Sequence, residues 1–276
     1  HGWANLQSVH LNLPFADDAE FGRLHAAIRL VLPILPALAA SSPMIEGRLT
    51  GKLDNRLDVY RHNARRVPMV SGQVVPEAVF TRADYEREIF APLYADIAPH
   101  DPEGTLQNEW LNARGAIARF DRGAIEIRVL DIQECPAADL AIVATIAKVL
   151  ELLCGETWTP LAEQQSQTTA ALAAHLWRAV DDAGDARIDD AGYLRQFGLQ
   201  QDAASMREVW THLVDAALEA DSPHRAALGV ILREGTLAKR IVRALAGAPQ
   251  DRWRVVYGAL CDCLRRGAMF LPDPLA

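Results

Sequence analysis

From Ser8 the chain alternates polar and apolar residues. Val9, Leu11 and Leu13 fall on one face of a strand and Ser8, His10 and Asn12 on the other. Pro14 and the pair Asp17-Asp18 then signal a turn and a helix start, after which Phe21, Leu24, Ile28 and Val31 recur at helical spacing. Pro33 and Pro36 bend or end that helix. Turn-forming residues dominate 41–51, which reads as loop, and 55–60 opens another helix. Between 63 and 115 prolines mix with short apolar runs, and a helix over 82–94 is predicted there. The strongest strand is 124–131, introduced by Asp121-Arg122-Gly123. Its β-branched residues alternate with Glu126 and Arg128, so both charges share a face.

From Pro136 the helical period takes over. A long apolar helix is predicted over 137–154, and Ala- and Leu-rich helical patterns continue to 266. Breaks come at Gly155, at 181–190, at Asp221-Ser222-Pro223 and at Gly247-Ala248-Pro249. The expectation is therefore α+β, with a mixed region 1–155 and a helical region 156–276. No repeat at solenoid period and no low-complexity tract is evident.

Composition narrows the function classes. Half of the 276 residues are hydrophobic, enough for a sizeable core and far too many for a disordered chain. Lys and Arg number 28 against 36 Asp and Glu, a net charge of −8, which argues against binding nucleic acid or an anionic membrane. The longest apolar stretch, 30–40, is interrupted by Pro33 and Pro36 and is too short to span a bilayer. No basic stretch precedes an apolar signal core, so a cytoplasmic protein is expected. The opening residues from His1 read as the middle of something, and a preceding segment is expected. The cysteines at 135, 154, 261 and 263 do not form paired CxxC spacings and are expected to be buried and inert. No GxSxG, P-loop or GxGxxG motif is present.

Glu126 and Arg128, at i and i+2 of one strand, project side by side. An acid holding a divalent metal beside an arginine gripping a phosphate or carboxylate suits nucleotide-dependent chemistry, while spacing alone favours an exposed ion-pair surface. His10 and Asn12 repeat that geometry on the first strand. Arg48, Arg56, Arg61, Arg65, Arg66, Arg114 and Arg119 occupy turn-rich contexts, where fixed cations either neutralise a polyphosphate or form ordinary surface charge. Surface charge is the reading favoured for Arg61, Arg65 and Arg66. Arg114 and Arg119, flanking Gly115 just before the Glu126 strand, are the better candidates.

Taken in order, His10-Leu-Asn-Leu-Pro, Asp17-Asp18-Ala19, Leu38-Ala-Ala-Ser-Ser-Pro43, Gly47, Thr50, Asn55-Arg56-Leu57 and Gly123-Ala-Ile-Glu126-Ile-Arg128-Val-Leu-Asp131 resemble the bacterial glutamate–cysteine ligase-like (carboxylate–amine ligase) family. The similarity is good over about 8–150 and weak beyond. It implies a glutamine-synthetase-like curved antiparallel sheet with packed helices. It also implies ATP-dependent amide formation, in which a glutamate γ-carboxylate becomes an acyl phosphate that an amine such as cysteine attacks, with Mg²⁺ as cofactor. Under this resemblance Glu126 is a metal-binding glutamate, and Arg128 contacts the substrate carboxylate or the transferring phosphate. Arg56 and Arg114 join Arg128 as catalytic arginines, and His10, Asn12, Arg119 and Thr50 are binding positions. Two departures stand out: Ser8 occupies the place of the first histidine of the family's His-x-His-x-Gly strand, and Asn12 that of its glycine. Further acidic metal ligands of the family lie on strands with no counterpart before His1. A homo-oligomer is expected by analogy, and the alternative to an enzyme is a non-catalytic binding protein that keeps the ligase scaffold.

Overall fold

A computed structural model describes residues 7–246 and 250–272. Strand β1 (Ser8–Pro14) leads into helix α1 (Asp18–Val31), whose first turn is capped by the Asp17 carboxylate accepting from Glu20 N at 2.9 Å. The expected proline break is short. A single 3₁₀ turn at Leu32–Ile34 connects α1 to α2 (Pro36–Ala39), and the whole run from Ala26 to Ala40 is buried.

The predicted loop 41–51 contains a small hairpin, β2 (Met44–Ile45) with β3 (Arg48–Leu49). Its strands are too short for a period-two pattern to register. The turn is built by Glu46 and Gly47 at φ 49° and 75°, the left-handed pair that hairpins favour. Helix α3 (Asn55–Asn63) follows, capped by Asp54. The predicted helix 82–94 runs as α4 (Arg82–Tyr85), a π turn (Glu86–Phe90) and α5 (Ala91–Ile97).

Strand β4 (Ala116–Arg119) had no counterpart in the sequence pattern, because Ala-Ile-Ala-Arg is buried on both faces and does not alternate. It pairs with β5 (Ala124–Asp131), and β5 pairs with β1. The result is an antiparallel sheet in the order β1-β5-β4. Gly115, just before β4, permits close packing: a Cβ there would lie 2.6 Å from the Val129 side chain.

After α6 (Pro136–Cys154) the chain is mostly helical, through α7 (Leu161–Gln165) and α8 (Thr169–Asp182). A two-residue pair, β6 (Arg187–Ile188) with β7 (Ala204–Ser205), brackets α9 (Ala191–Arg195). Then come α10 (Met206–Ala217), α11 (Arg225–Glu234), α12 (Leu237–Leu245) and α13 (Trp253–Arg266). The break expected at 247–249 lies outside the described residues.

The helices after residue 155 share a core with the sheet. Leu176, Tyr193, Phe197 and Trp210 belong to one hydrophobic cluster with Leu30, Ile34, Ile127 and Val129. Tyr193 Oη donates to Leu30 O at 2.6 Å and Trp210 Nε1 to Ile34 O at 2.7 Å, so these aromatics satisfy backbone carbonyls where α1 hands over to the 3₁₀ turn. A buried pair, Arg240 Nη1 to Glu134 Oε1 at 2.5 Å, ties α12 to the turn before α6. No helix among the described residues is long and apolar enough to cross a membrane.

The buried His25 on α1 makes stability depend on pH. It stacks on Phe21 with ring centroids 5.3 Å apart, and its Nδ1–H donates to Val79 O at 2.7 Å. Burial, reinforced by Arg29, pushes its pKa down to about 3. The native state therefore keeps His25 neutral while the unfolded chain takes a proton below about pH 6.5. Stability is full above that value and falls as the pH drops toward 3. Between pH 6.5 and 5 the loss due to His25 is about 2 kcal/mol. Urea unfolding of the wild type and His25→Gln at both pH values checks this: the pH-dependent loss shrinks in the variant, whereas equal losses would contradict it.

Candidate active site

The geometry of the site begins with a register shift. Val9 pairs with Leu130 and Leu11 with Ile127, so on β1 His10 alone faces both Arg128 and Val129 on β5. This is a β-bulge. Strict alternation would send Asp131 to the face opposite Glu126. The extra residue instead brings Asp131 opposite Ser8, so Ser8, His10, Asn12, Glu126, Arg128 and Asp131 share one face. The other face carries Leu11, Leu13, Ile125 and Ile127 into the core.

On the polar face Glu126 Oε1 receives His10 Nδ1 and Arg128 Nε, both at 2.8 Å. His10 Nε2 lies 2.8 Å from Ser8 Oγ. At the bulged end Asp131 forms a buried ion pair with Arg56, and its second oxygen accepts from Ser41 N at 2.9 Å and Ser42 Oγ at 2.7 Å. Arg56 also reaches Arg128 O at 3.3 Å, which links α3 to β5. The loop before α3 is itself held in place: Ser42 O accepts from Asn55 Nδ2 at 2.7 Å, and Thr50 Oγ1 donates to Asn55 Oδ1 at 2.7 Å. One turn beyond Arg56, Tyr60 hydrogen-bonds Arg128.

Electrostatics follow from this packing. Burial lowers the His10 pKa more than Glu126 raises it, so the imidazole is neutral at neutral pH. Burial works to raise the Glu126 carboxyl, but the hydrogen bond and charge of Arg128, with His10, hold it below its ordinary value. Burial likewise opposes the charge on Arg56, yet Asp131 and Asp54 raise its pKa. Asp54, fully buried beside Asp131, is pushed well above the carboxylate range by burial, with Asp131 adding and Arg56 opposing.

Two cavities flank α3. One, of about 400 Å³, is lined by Gln7, Ser41, Ser42, Arg56 and Asp131 and walled by the β2–β3 hairpin. The other, of about 440 Å³, has Arg128, Arg66 and Asn63 among apolar walls that include Val70 and Trp110. Arg56 lines the first, while its Nη2 is buried with no hydrogen-bond partner among the described residues.

The remaining predicted residues divide. Asn12 sits opposite Glu126, and Arg119, on β4, shares the Glu126 face but is held by Asp121 at 3.1 Å. Thr50 serves to order the loop before α3. Arg114 is elsewhere: fully buried, it grips Glu77 bidentately at 2.6 Å through Nε and Nη2 and binds Met69 O at 3.0 Å. Asp131, Tyr60, Ser42 and Asp54 were not singled out from sequence. Asp131 ends the strongest strand pattern, but alternation alone assigns it to the wrong face.

The magnesium implied by the resemblance requires several oxygen ligands in fixed geometry. Among the described residues no group of three His, Cys, Asp or Glu side chains is placed to hold a metal. Glu126 is taken up by His10 and Arg128, and Asp131 by Arg56 and two serines. This donor set does not fit a magnesium ion on its own.

With the Glu-x-Arg strand, the Ser-Ser-Pro loop and Arg56 converging on one face, comparison with known proteins decides the family. Residues 1–261 match glutamate-cysteine ligase family 2. The chain belongs to that family. A protein of Archaeoglobus fulgidus, described as uncharacterized, is 29% identical over 271 residues, covering 98% of this chain and 67% of its own length. Membership makes the chain a ligase-family protein.

A structural role for Arg114 predicts the outcome of Glu77→Leu. The guanidinium would be left buried and unpaired, lowering stability by about 3 kcal/mol, the low end for broken buried pairs because Glu77 is one-third exposed. Chemical denaturation measures it, and a change under 1 kcal/mol, on the order of an exposed pair, would contradict the assignment.

Proposed function

We propose that this family member is an ATP-dependent carboxylate–amine ligase of the glutamate–cysteine ligase type, joining the γ-carboxylate of glutamate to an amine through an acyl phosphate. The observation carrying this reading is the bulged strand pair, which sets Arg128 and, through Asp131, Arg56 at fixed positions between two cavities. In the proposed reaction these guanidiniums orient the substrate carboxylate and offset the charge that develops as the phosphoryl group moves. Tyr60 and Glu126 keep the Arg128 fork from rotating, so little reorganisation is needed during reaction. The neutral His10 imidazole stands ready to accept a proton as the ammonium of the acceptor becomes a nucleophile. The antiparallel β1-β5-β4 sheet is, in this reading, part of a glutamine-synthetase-like catalytic fold.

The lack of a described magnesium donor set favours a second reading, a binding protein that retains the ligase scaffold. Phosphate release from ATP, measured with glutamate and a panel of amines including cysteine, separates the two. The ligase reading predicts release that requires both glutamate and an amine and drops by about a hundredfold in Arg128→Ala. No release above the blank, with no nucleotide binding at millimolar ATP, would overturn it and leave the binding protein.

A further inference from the structure

Ser8, His10 and Glu126 form an unbroken line of hydrogen bonds, and the ligase reading gives Ser8 no role. Ser8 Oγ is 2.8 Å from His10 Nε2, and His10 Nδ1 is 2.8 Å from Glu126 Oε1. With the ring proton on Nδ1 directed at the carboxylate, the Nε2 lone pair faces the serine hydroxyl, which donates to it. Nucleophile, base and orienting acid thus stand in the order and spacing of an activated serine. The sequence search for such a site fails because its usual marker is a GxSxG turn, whereas here the serine and histidine sit at i and i+2 of a strand.

The supports are rigid. All three residues lie on the paired strands β1 and β5, and Arg128 pins the same Glu126 oxygen from the other side at 2.8 Å. Ser8 is half-buried and accessible. Its register partner Asp131 and its neighbour Gln7 line the 400 Å³ cavity, whose wall includes Arg56. A guanidinium in that wall suits a ligand that carries an anionic group.

We propose that Ser8 is an activated nucleophile and that the chain hydrolyses small esters carrying a second carboxylate, independently of ATP. Ser8 Oγ adds to the ester carbonyl while its proton passes to His10 Nε2. The C–O bond to the leaving alkoxide breaks as that proton is returned to it, and an acyl-serine remains. Water then adds to the acyl carbon and gives a proton to His10 Nε2. Collapse expels Ser8 Oγ, which regains the proton, and the free acid departs. Nothing is oxidised or reduced, and water is the co-reactant.

The test uses the full chain without nucleotide, treated with a fluorophosphonate probe and, separately, with the mono-4-nitrophenyl ester of glutaric acid. One probe adduct per chain, mapped to Ser8, is expected, together with a burst of one equivalent of nitrophenol. Ser8→Ala abolishes both, and His10→Gln slows labelling by about a hundredfold. Ser166→Ala, on an exposed residue away from β1, labels at the wild-type rate. No adduct at Ser8 in the folded protein, or an adduct forming as fast in His10→Gln, overturns the proposal. Far-UV circular dichroism of each variant confirms that loss of labelling is not loss of fold. A negative result leaves the ligase reading untouched, since neither ATP nor glutamate is present.

Discussion

The site depends on one extra residue in β5. Where β1 contributes His10, β5 contributes Arg128 and Val129, and this mismatch rotates Asp131 onto the face already carrying Glu126 and Arg128. Without it the Asp131 carboxylate would point into the apolar layer formed by Ile125 and Ile127, and Arg56 would lose its hydrogen-bonded ion-pair partner. The bulge also lies next to Gly115, whose missing side chain leaves room for Val129, while Gly115 O accepts from Arg128 N at 2.8 Å. Core packing and site geometry are thus fixed by the same few residues.

The ion pairs on this face serve position more than stability. Burying Arg56 with Asp131, and Arg128 with Glu126, forfeits hydration that the pairing only partly restores, and apolar replacements of equal volume often fold as well. What the pairs provide is orientation: each guanidinium is held on two sides, Arg128 by Glu126 and Tyr60 and Arg56 by Asp131 and the Arg128 carbonyl. Arg114 shows the contrasting case. Its bidentate grip on Glu77 and its bond to Met69 O leave the guanidinium fully enclosed and engaged.

Much of this was legible in the sequence because its signals are local. The alternation of 8–13 and 124–131 gave both strands of the site and the shared face of Glu126 and Arg128. The pair Asp17-Asp18 marked the start of α1, and the apolar run from Pro136 marked α6. What escaped was whatever depends on pairing between distant segments. β4 is buried on both faces and so lacks alternation. The hairpin at 44–49 is too short to show a period. Asp131 changes face only through register, and Arg114 meets Glu77 across 37 positions of chain. Nothing in the spacing of Arg114 from the strand distinguishes a substrate-facing arginine from an enclosed one.

Amide chemical shifts of the full chain, recorded while ATP and glutamate are added together, test most directly whether the bulged face receives ligands. Perturbations concentrated in 8–12, 55–66 and 126–131, and lost in Arg56→Ala, are expected. Shifts confined to the helices after 155, or none with both ligands at millimolar concentration, would contradict a ligand site on this sheet.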